Sequence, residues 1–362
     1  MELLASNFEP LVSENERFVE KWTELFVQSE KIDMAVGYAS NDSVLYLKSL
    51  LQWNQPKKLN LCIGMALFDG IFQSQLSALM ELDEFLKTRG LGGVFFSNQF
   101  PFHGKVHAFK NQTGLVGGLV GSSNLSNIVP PKGTIYRGNF EVDLFVTEPE
   151  VLANIDSLLS RLIASASIPL ESALQHLKIK TDFNPLLDSR FEVKIIEIAT
   201  VNAVRASLTG DTFDIPLKTT PKSNMNVFFG KGRDNNHGFI APRPWYEVEI
   251  IPGQAVMRSS PNYPQHQEFF VYTDDNYKFV LYTGGDNNKN LRSRDDLTTI
   301  GRWLKGRLEM SGALKSGEVV DEDVFNRYGR NSVTLTRSQR SEYDPVREAI
   351  LQVWFADFGV QS

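Results

Sequence analysis

The chain has 362 residues, 42% hydrophobic and 22% charged, the balance of a folded globular protein and not of a disordered, collagen-like or coiled-coil one. A single cysteine, Cys62, excludes an intrachain disulfide and a multi-cysteine zinc site, and fits a reducing cytoplasm. The net charge of −6 argues against a general polyanion binder, without excluding a local basic surface.

The length suggests two domains. Met1 to Pro10 lacks the basic segment of a signal peptide, and no apolar run is long enough to span a membrane. Glu14 to Lys31 places Phe18, Trp22, Leu25 and Phe26 at helical spacing. Apolar runs at Ile32 to Ala39, Leu59 to Ala66, Gly93 to Ser97, Val106 to Phe109, Leu115 to Val120 and Glu141 to Val146 predict strands. Leu45 to Trp53, Gln73 to Thr88 and Glu150 to Ala166 predict helices between them. Interleaved strands and helices imply an α/β layered domain over residues 1–178. Residues 179–189, with Pro185, form an expected linker.

From 190 to 362 the texture turns mostly β. Expected strands are Glu192 to Ile198, Val204 to Leu208, Tyr246 to Ile251, Phe269 to Thr273 and Lys278 to Tyr282, as in a barrel or sandwich. Leu297, Ile300, Leu304 and Leu308 predict one helix, with Ser293 and Asp296 as its capping box. Ser338 to Asp344 is an expected surface loop, and Val346 to Phe358 an expected closing helix carrying Trp354 and Phe355. Basic residues also change type: 4 Arg against 11 Lys in residues 1–180, then 14 Arg against 8 Lys. Arginine forks suit phosphates and guanine edges better than lysine does.

The most informative stretch is Pro101 to Ser126, PFHGKVHAFKNQTGLVGGLVGSSNLS. On an expected strand, period two puts His103 and Lys105 on one face. An imidazole can attack phosphorus while the ammonium holds the non-bridging oxygens. Gly121 allows a tight turn, and Ser122, Ser123 and Asn124 offer donors to the same phosphate. Glu141, at the start of the next apolar run, could fix the imidazole tautomer. The plainer alternative is an exposed strand followed by an ordinary turn.

This set resembles the phospholipase D superfamily pattern H-x-K followed by G-S-x-N. Five positions after Lys105 the wider superfamily places Asp, where this chain has Lys110; the restriction-endonuclease branch also lacks that Asp. A second H-x-K, His176-Leu177-Lys178, follows a helix with no G-S-x-N downstream and is taken as coincidence. The superfamily reaction needs two histidines, a nucleophile and a general acid, so one good motif per chain implies a homodimer through the N-terminal domain. His107 shares the His103 face and is more simply a packed residue, and Cys62 in its apolar run is more simply a core thiol. No metal-binding motif and no phosphate-loop ATPase motif is present in the sequence, and no cofactor is expected.

Two polar segments mark the second half: Ser223 to Trp245 and Gly284 to Leu308. Asn reads adenine edges, Arg guanine and Asp cytosine. They resemble the two DNA-recognition arms of the family that joins a phospholipase-D-like nuclease to a plant "B three" type pseudobarrel, the NgoFVII and BfiI type of restriction endonuclease. The resemblance covers essentially the whole chain. It implies an α/β nuclease domain followed by a mostly β pseudobarrel. It also implies metal-independent, sequence-specific cleavage of double-stranded DNA through a phosphohistidine in a site shared by two subunits. His103 is then the nucleophile, with Lys105, Ser123 and Asn124 on the phosphate and Glu141 behind the histidine. Asn224, Lys231, Arg233, Asn235 and Asn236 fall on one arm. Arg292, Arg294, Asp295 and Asp296 fall on the other, with Arg302 and Lys305 following on the helix. The resemblance allows a separate ATPase-translocase subunit and implies a bacterial or archaeal cytoplasm. Two other readings stay open. A phospholipase-type phosphodiesterase would hydrolyse lipid. A non-catalytic DNA-binding protein with a decayed nuclease half would never form a covalent DNA adduct.

Overall fold

A computed structural model describes residues 1–6, 17–130, 139–181, 184–188, 193–234, 238–259, 261–285 and 290–360. These residues fall into two compact units. The first comprises Met1–Pro130, Gly138–Phe183 and Lys231–Trp245; the described part of the second comprises Asn184–Gly230 and Tyr246 onward.

In the first unit the chain runs β1 (Glu2–Ala5), α1 (Phe18–Gln28), β2 (Lys31–Val36), α2 (Asn41–Trp53), β3 (Lys58–Ile63), α3 (Ala66–Asp69), β4 (Ile71–Phe72), α4 (Gln73–Thr88) and β5 (Gly92–Ser97). It continues through β6 (Lys105–Asn111), β7 (Gly114–Gly121), β8 (Val142–Val146), α5 (Pro149–Ser165), β9 (Ser167–Pro169), α6 (Leu170–Ala173) and β10 (Ile179–Lys180). Eight strands form one sheet in the order β1-β8-β7-β6-β2-β3-β5-β9. β2, β3 and β5 are parallel, and β6 joins β2 antiparallel.

Helices cover both faces, so the central strands are apolar throughout and not alternating. On one face α5 lays Leu152, Ile155, Leu159 and Leu162 against Ala35, Cys62, Val106 and Ala108. On the other, Trp22 of α1 stacks on Phe26 and meets Phe109 edge-on. Ser40 caps α2 by accepting from the Ser43 N–H at 3.2 Å. Lys110 sits near the end of β6 away from Lys105, about 16 Å along the strand. It ion-pairs with Asp33 at 3.2 Å and with Asp156. Asp33 is buried, which pushes its carboxyl up. Hydrogen bonds from Lys31 and Asn60 and the charges of Lys31 and Lys110 outweigh that and hold it below the ordinary range. Lys110 is therefore a structural staple.

The second unit begins with β11 (Lys194–Ile195), α7 (Ile198–Arg205) and β12 (Leu208–Pro216). The segment Lys231–Trp245, with β13 (Arg233–Asp234) and β14 (Ile240–Ala241), belongs to the first unit. Asn54 at the end of α2 holds it like a strand partner. Its Oδ1 accepts from the Ile240 N–H at 3.0 Å and its Nδ2 donates to the Ile240 carbonyl at 3.2 Å. The Trp245 N–H donates to Asp42 at 2.8 Å, and the indole is fully buried. The second unit resumes with α8 (Gln254–Arg258), β15 (Glu268–Thr273), β16 (Tyr277–Gly284), β17 (Asn290–Ser293), α9 (Thr299–Met310), α10 (Glu322–Tyr328), β18 (Ser332–Asp344) and β19 (Ala349–Asp357). Its sheet runs β11-β16-β15-β19-β18-β12, with β17 on β16. Among the described residues no sheet closes into a barrel, so the expected pseudobarrel appears as an open, mostly β layer.

Several local expectations change. Residues 14–16 of the first expected helix lie outside the described residues. Ser338–Asp344 is strand, not loop, because it pairs with β19, and Ser338 also with β12. Val346 to Phe358 is not a helix. Ala349–Asp357 is a strand whose residues 353–356 are buried on both faces: Leu351, Val353 and Phe355 face α7, while Trp354 meets Phe213 and Phe269. Of Glu192 to Ile198 and Val204 to Leu208, the described residues give a two-residue strand, then α7, with only Leu208 in the following strand β12. Tyr246 to Ile251 makes a single bridge at Ile250. The helix expected from Leu297 starts at Thr299 without the expected capping box: Ser293 Oγ accepts from the Ile300 N–H at 3.2 Å, while Asp296 Oδ1 accepts from Thr298 N–H (2.7 Å) and Oγ1 (2.8 Å) in the turn before the helix. Among the described residues no helix is long and apolar enough to cross a membrane.

His107 carries a measurable consequence. It is 1% exposed, its Nδ1 accepts from Trp22 Nε1–H at 3.3 Å, and its Nε2 has no partner among the described residues. Burial pushes its pKa down to about 4 from 6.5. The unfolded chain therefore takes up a proton that the folded one refuses. Stability is full above about pH 6.5 and falls by ~3 kcal/mol as pH drops toward 4. Denaturant titrations at pH 7 and 4.5 should show this loss in the wild type and a much flatter response in His107→Leu.

Candidate active site

The site stands where strands end. β2 and β3 each run out into a glycine, and the second is required by a close backbone approach. A Cβ on Gly64 would stand 1.8 Å from the Phe102 carbonyl oxygen, inside any permissible contact. That closeness lets the Phe102 N–H donate to the Gly64 carbonyl at 3.1 Å and pins the segment carrying His103. A Cβ on Gly37 would lie 3.3 Å from the His103 ring and 3.5 Å from Lys105 Nζ. His103 itself precedes β6 and is exposed, so it is not the strand residue the sequence suggested.

Lys105 opens β6 and is 4% exposed. Its Nζ donates to the His103 carbonyl at 2.6 Å and lies 3.1 Å from Nδ1 and 3.4 Å from Nε2 of the same residue. The expected pairing of imidazole and ammonium is present, made by the lysine turning back beside the ring. Lys105, Gly121 and Asp143 are directly opposite one another across β6, β7 and β8. A Cβ on Gly121 would fall 2.3 Å from Asp143 Oδ1. The bare glycine thus makes room for the Asp143 carboxylate. Burial pushes the Lys105 pKa down, and the charges of Glu141 and Asp143 oppose this without cancelling it.

Ser123 departs from expectation. It is fully buried, its Oγ donates to Asp143 Oδ2 at 2.5 Å, and its N–H donates to Oδ1 at 3.2 Å. Its hydroxyl anchors the turn and does not face a substrate. Asp143 is raised by burial and by Glu141, against the Ser123 hydrogen bonds. Asn124 is half-buried, and its Oδ1 accepts from the Tyr38 N–H at 3.2 Å. Glu141 is half-buried just before β8. Its N–H donates to Ser6 Oγ at 2.9 Å, its carbonyl accepts from the Ser6 N–H at 3.0 Å, and it forms no hydrogen bond with His103; its charge acts on Lys105 and Asp143. His103, Lys105 and Asn124 therefore come together, Glu141 supports them through charge, and Ser123 lies beneath. Among the described residues no group of three His, Cys, Asp or Glu side chains could hold a metal ion.

Sequence reasoning passed over Asp143, Gly37, Gly64 and Tyr38. Asp143 had a signal, a charge two residues after Glu141 inside an apolar run. The glycines had one too, because IDMAVG and LNLCIG both break at the same point.

The expected DNA-contacting residues separate. Lys231 and Arg233 are exposed on the segment held by the first unit, with Lys231 3.8 Å from Asp234. Asn235 and Asn236 lie outside the described residues. In the second unit Arg292 is half-buried on β17 opposite Tyr282. Arg294 pairs with Glu268, and Asp295 with Arg347, which also holds Glu268 and Asp344. Asp296 is committed to the turn before α9. Asn224 is 6% exposed in a positive-φ turn (φ 52°). Arg302 packs over Tyr246 at 4.9 Å. Lys305 has no exposed surface, so it presents no ammonium to a phosphate, contrary to expectation.

Comparison with family models gives a match over residues 16–168 to the NgoFVII restriction endonuclease N-terminal PLD domain. A second match, over residues 203–339, is to the NgoFVII C-terminal B3-like DNA-binding domain. The chain belongs to the NgoFVII restriction endonuclease family, with a phospholipase-D-like nuclease domain and a B3-like DNA-binding domain in that order. The comparison with curated proteins gives no match.

Gly64→Val should displace the Phe102–Gly104 segment and lower DNA cleavage about 100-fold, the scale on which a 1 Å misplacement acts. A steady-state cleavage assay beside a melting curve checks this. Full activity in the variant would show that the close approach does not matter.

Proposed function

We propose that this protein cuts double-stranded DNA at a specific sequence without a metal ion, through a covalent bond between His103 and the scissile phosphorus. The observation that carries the reading is the buried Lys105 ammonium lying 3.1 Å from Nδ1 of an exposed His103 imidazole, with Asn124 beside them. In the first step an imidazole nitrogen attacks phosphorus and the P–O bond to one sugar breaks. The departing oxygen takes a proton from the His103 of a second copy. In the second step that imidazole removes a proton from water, the hydroxide attacks phosphorus, and the P–N bond breaks. Lys105 and the Asn124 amide hold the non-bridging oxygens as charge builds. Glu141 offsets part of the cost of burying the ammonium.

Two observations support the shared site. The other H-x-K, His176 to Lys178, lies in an exposed turn after α6, away from any G-S-x-N. The β1–β8 edge beside the Ser122 turn exposes Leu3, Val142 and Leu144, at 65%, 42% and 41%. A second copy would cover that apolar strip. Sequence reading is assigned to the B3-like unit through Arg292, Arg294 and Asp295. Lys231 and Arg233 take phosphates.

Plasmid cleavage in EDTA tests the chemistry. Wild type should cut and His103→Ala should not; loss of wild-type cutting in EDTA contradicts a metal-free reaction. Sedimentation should show a dimer, and a stable monomer with full activity contradicts the shared site.

A further inference from the structure

Tyr38 follows β2 by two residues and is 41% exposed, so burial does not hold its ring. Polar contacts hold it at three points. Its hydroxyl donates to Asp69 on α3. Its peptide N–H donates to Asn124 Oδ1 at 3.2 Å. Its ring stands against the His103 imidazole at 75°, with centroids 5.7 Å apart. The second contact decides how Asn124 works. With Oδ1 taken by the peptide, the amide turns its two Nδ2 hydrogens outward, and these have no partner among the described residues. An amide in the opposite sense would offer an oxygen to an anionic phosphate and repel it. The third contact walls one side of the imidazole and limits the rotations open to an exposed ring.

We propose that Tyr38, locked by Asp69, is the positioning residue that fixes the His103 ring and the donor sense of the Asn124 amide. The proposal rests on the reading that His103 is the nucleophile. The Asp69 hydrogen bond and burial hold the phenol above its ordinary titration range, so it stays a donor wherever the enzyme works. α3 ends at Gly70, whose φ of 82° turns the chain immediately after Asp69. A surface tyrosine that merely decorates the loop would make the same Asp69 bond but would not couple to the chemistry.

The test compares Tyr38→Phe, Asp69→Ala, the pair together and Tyr38→Ala in single-turnover DNA cleavage, with DNA affinity measured alongside. Tyr38→Phe and Asp69→Ala should each slow cleavage about 5-fold at unchanged affinity, and the double variant should be no slower than either, because they remove one bond. Tyr38→Ala should slow cleavage about 100-fold, by freeing the ring. Equal rates across the set, or effects that multiply, overturn the proposal. Carbethoxylation of His103 by diethyl pyrocarbonate, followed on its own peptide by mass spectrometry, reads the ring without any nuclease activity. It should quicken at least about 3-fold in Tyr38→Ala as the wall is removed, and an unchanged rate overturns the proposal. His103→Ala runs beside these variants. If it still cleaves DNA the nucleophile reading fails, and carbethoxylation alone then decides whether Tyr38 positions the ring.

Discussion

A buried ammonium held against an exposed imidazole is the contact on which the site depends. Burying Lys105 is costly, and the structure offsets the cost with a carboxylate directly across the sheet, Asp143, and another beside it, Glu141. Gly121, between Lys105 and Asp143 on β7, has no side chain, and a Cβ there would collide with Asp143. The same Asp143 takes both donors of Ser123, so the carboxylate that steadies the lysine also fixes the turn that presents Asn124. One short row of residues thus couples the cation to the amide.

Glycine does comparable work at the ends of β2 and β3. Gly64 lets the Phe102 backbone approach where any side chain would collide, and Gly37 leaves room beside the His103 ring. The segment carrying the exposed His103 is then placed by a backbone hydrogen bond, with the ring against Tyr38. Rigidity of this kind is what the proposed nucleophile needs to meet phosphorus at a near-attack distance. Lys110 shows the complementary case. The position at which the wider superfamily puts an acid is here a cation clamped between Asp33 and Asp156, remote from the chemistry.

Much of the first unit was legible because its signals are local and strong. The strand at Leu59 and the helix at Gln73 stand close to where the sequence puts them, whereas His103 falls just before the strand that was expected to carry it. The second unit was less so. Residues 353–356 are apolar and buried on both faces, since α7 covers one and the Phe213–Phe269–Trp354 cluster fills the other, and such a run shows no alternation. Ser338 to Asp344 is polar and looks like loop, yet its backbone bonds to its neighbours whatever its side chains are. Lys305 and Asn224 have the residue types of DNA contacts, but burial is set by tertiary packing that no short motif reports. Ser123 was expected on a phosphate, but its hydroxyl goes to Asp143, a carboxylate on a strand twenty residues later that no short motif reports.

The most direct test is to quench the reaction with acid or alkali while it turns over on labelled DNA and digest the protein. The account predicts an alkali-stable, acid-labile phosphoramidate on the peptide holding His103, absent in His103→Ala. Turnover with no adduct on that peptide, under conditions that preserve phosphohistidine, would contradict it.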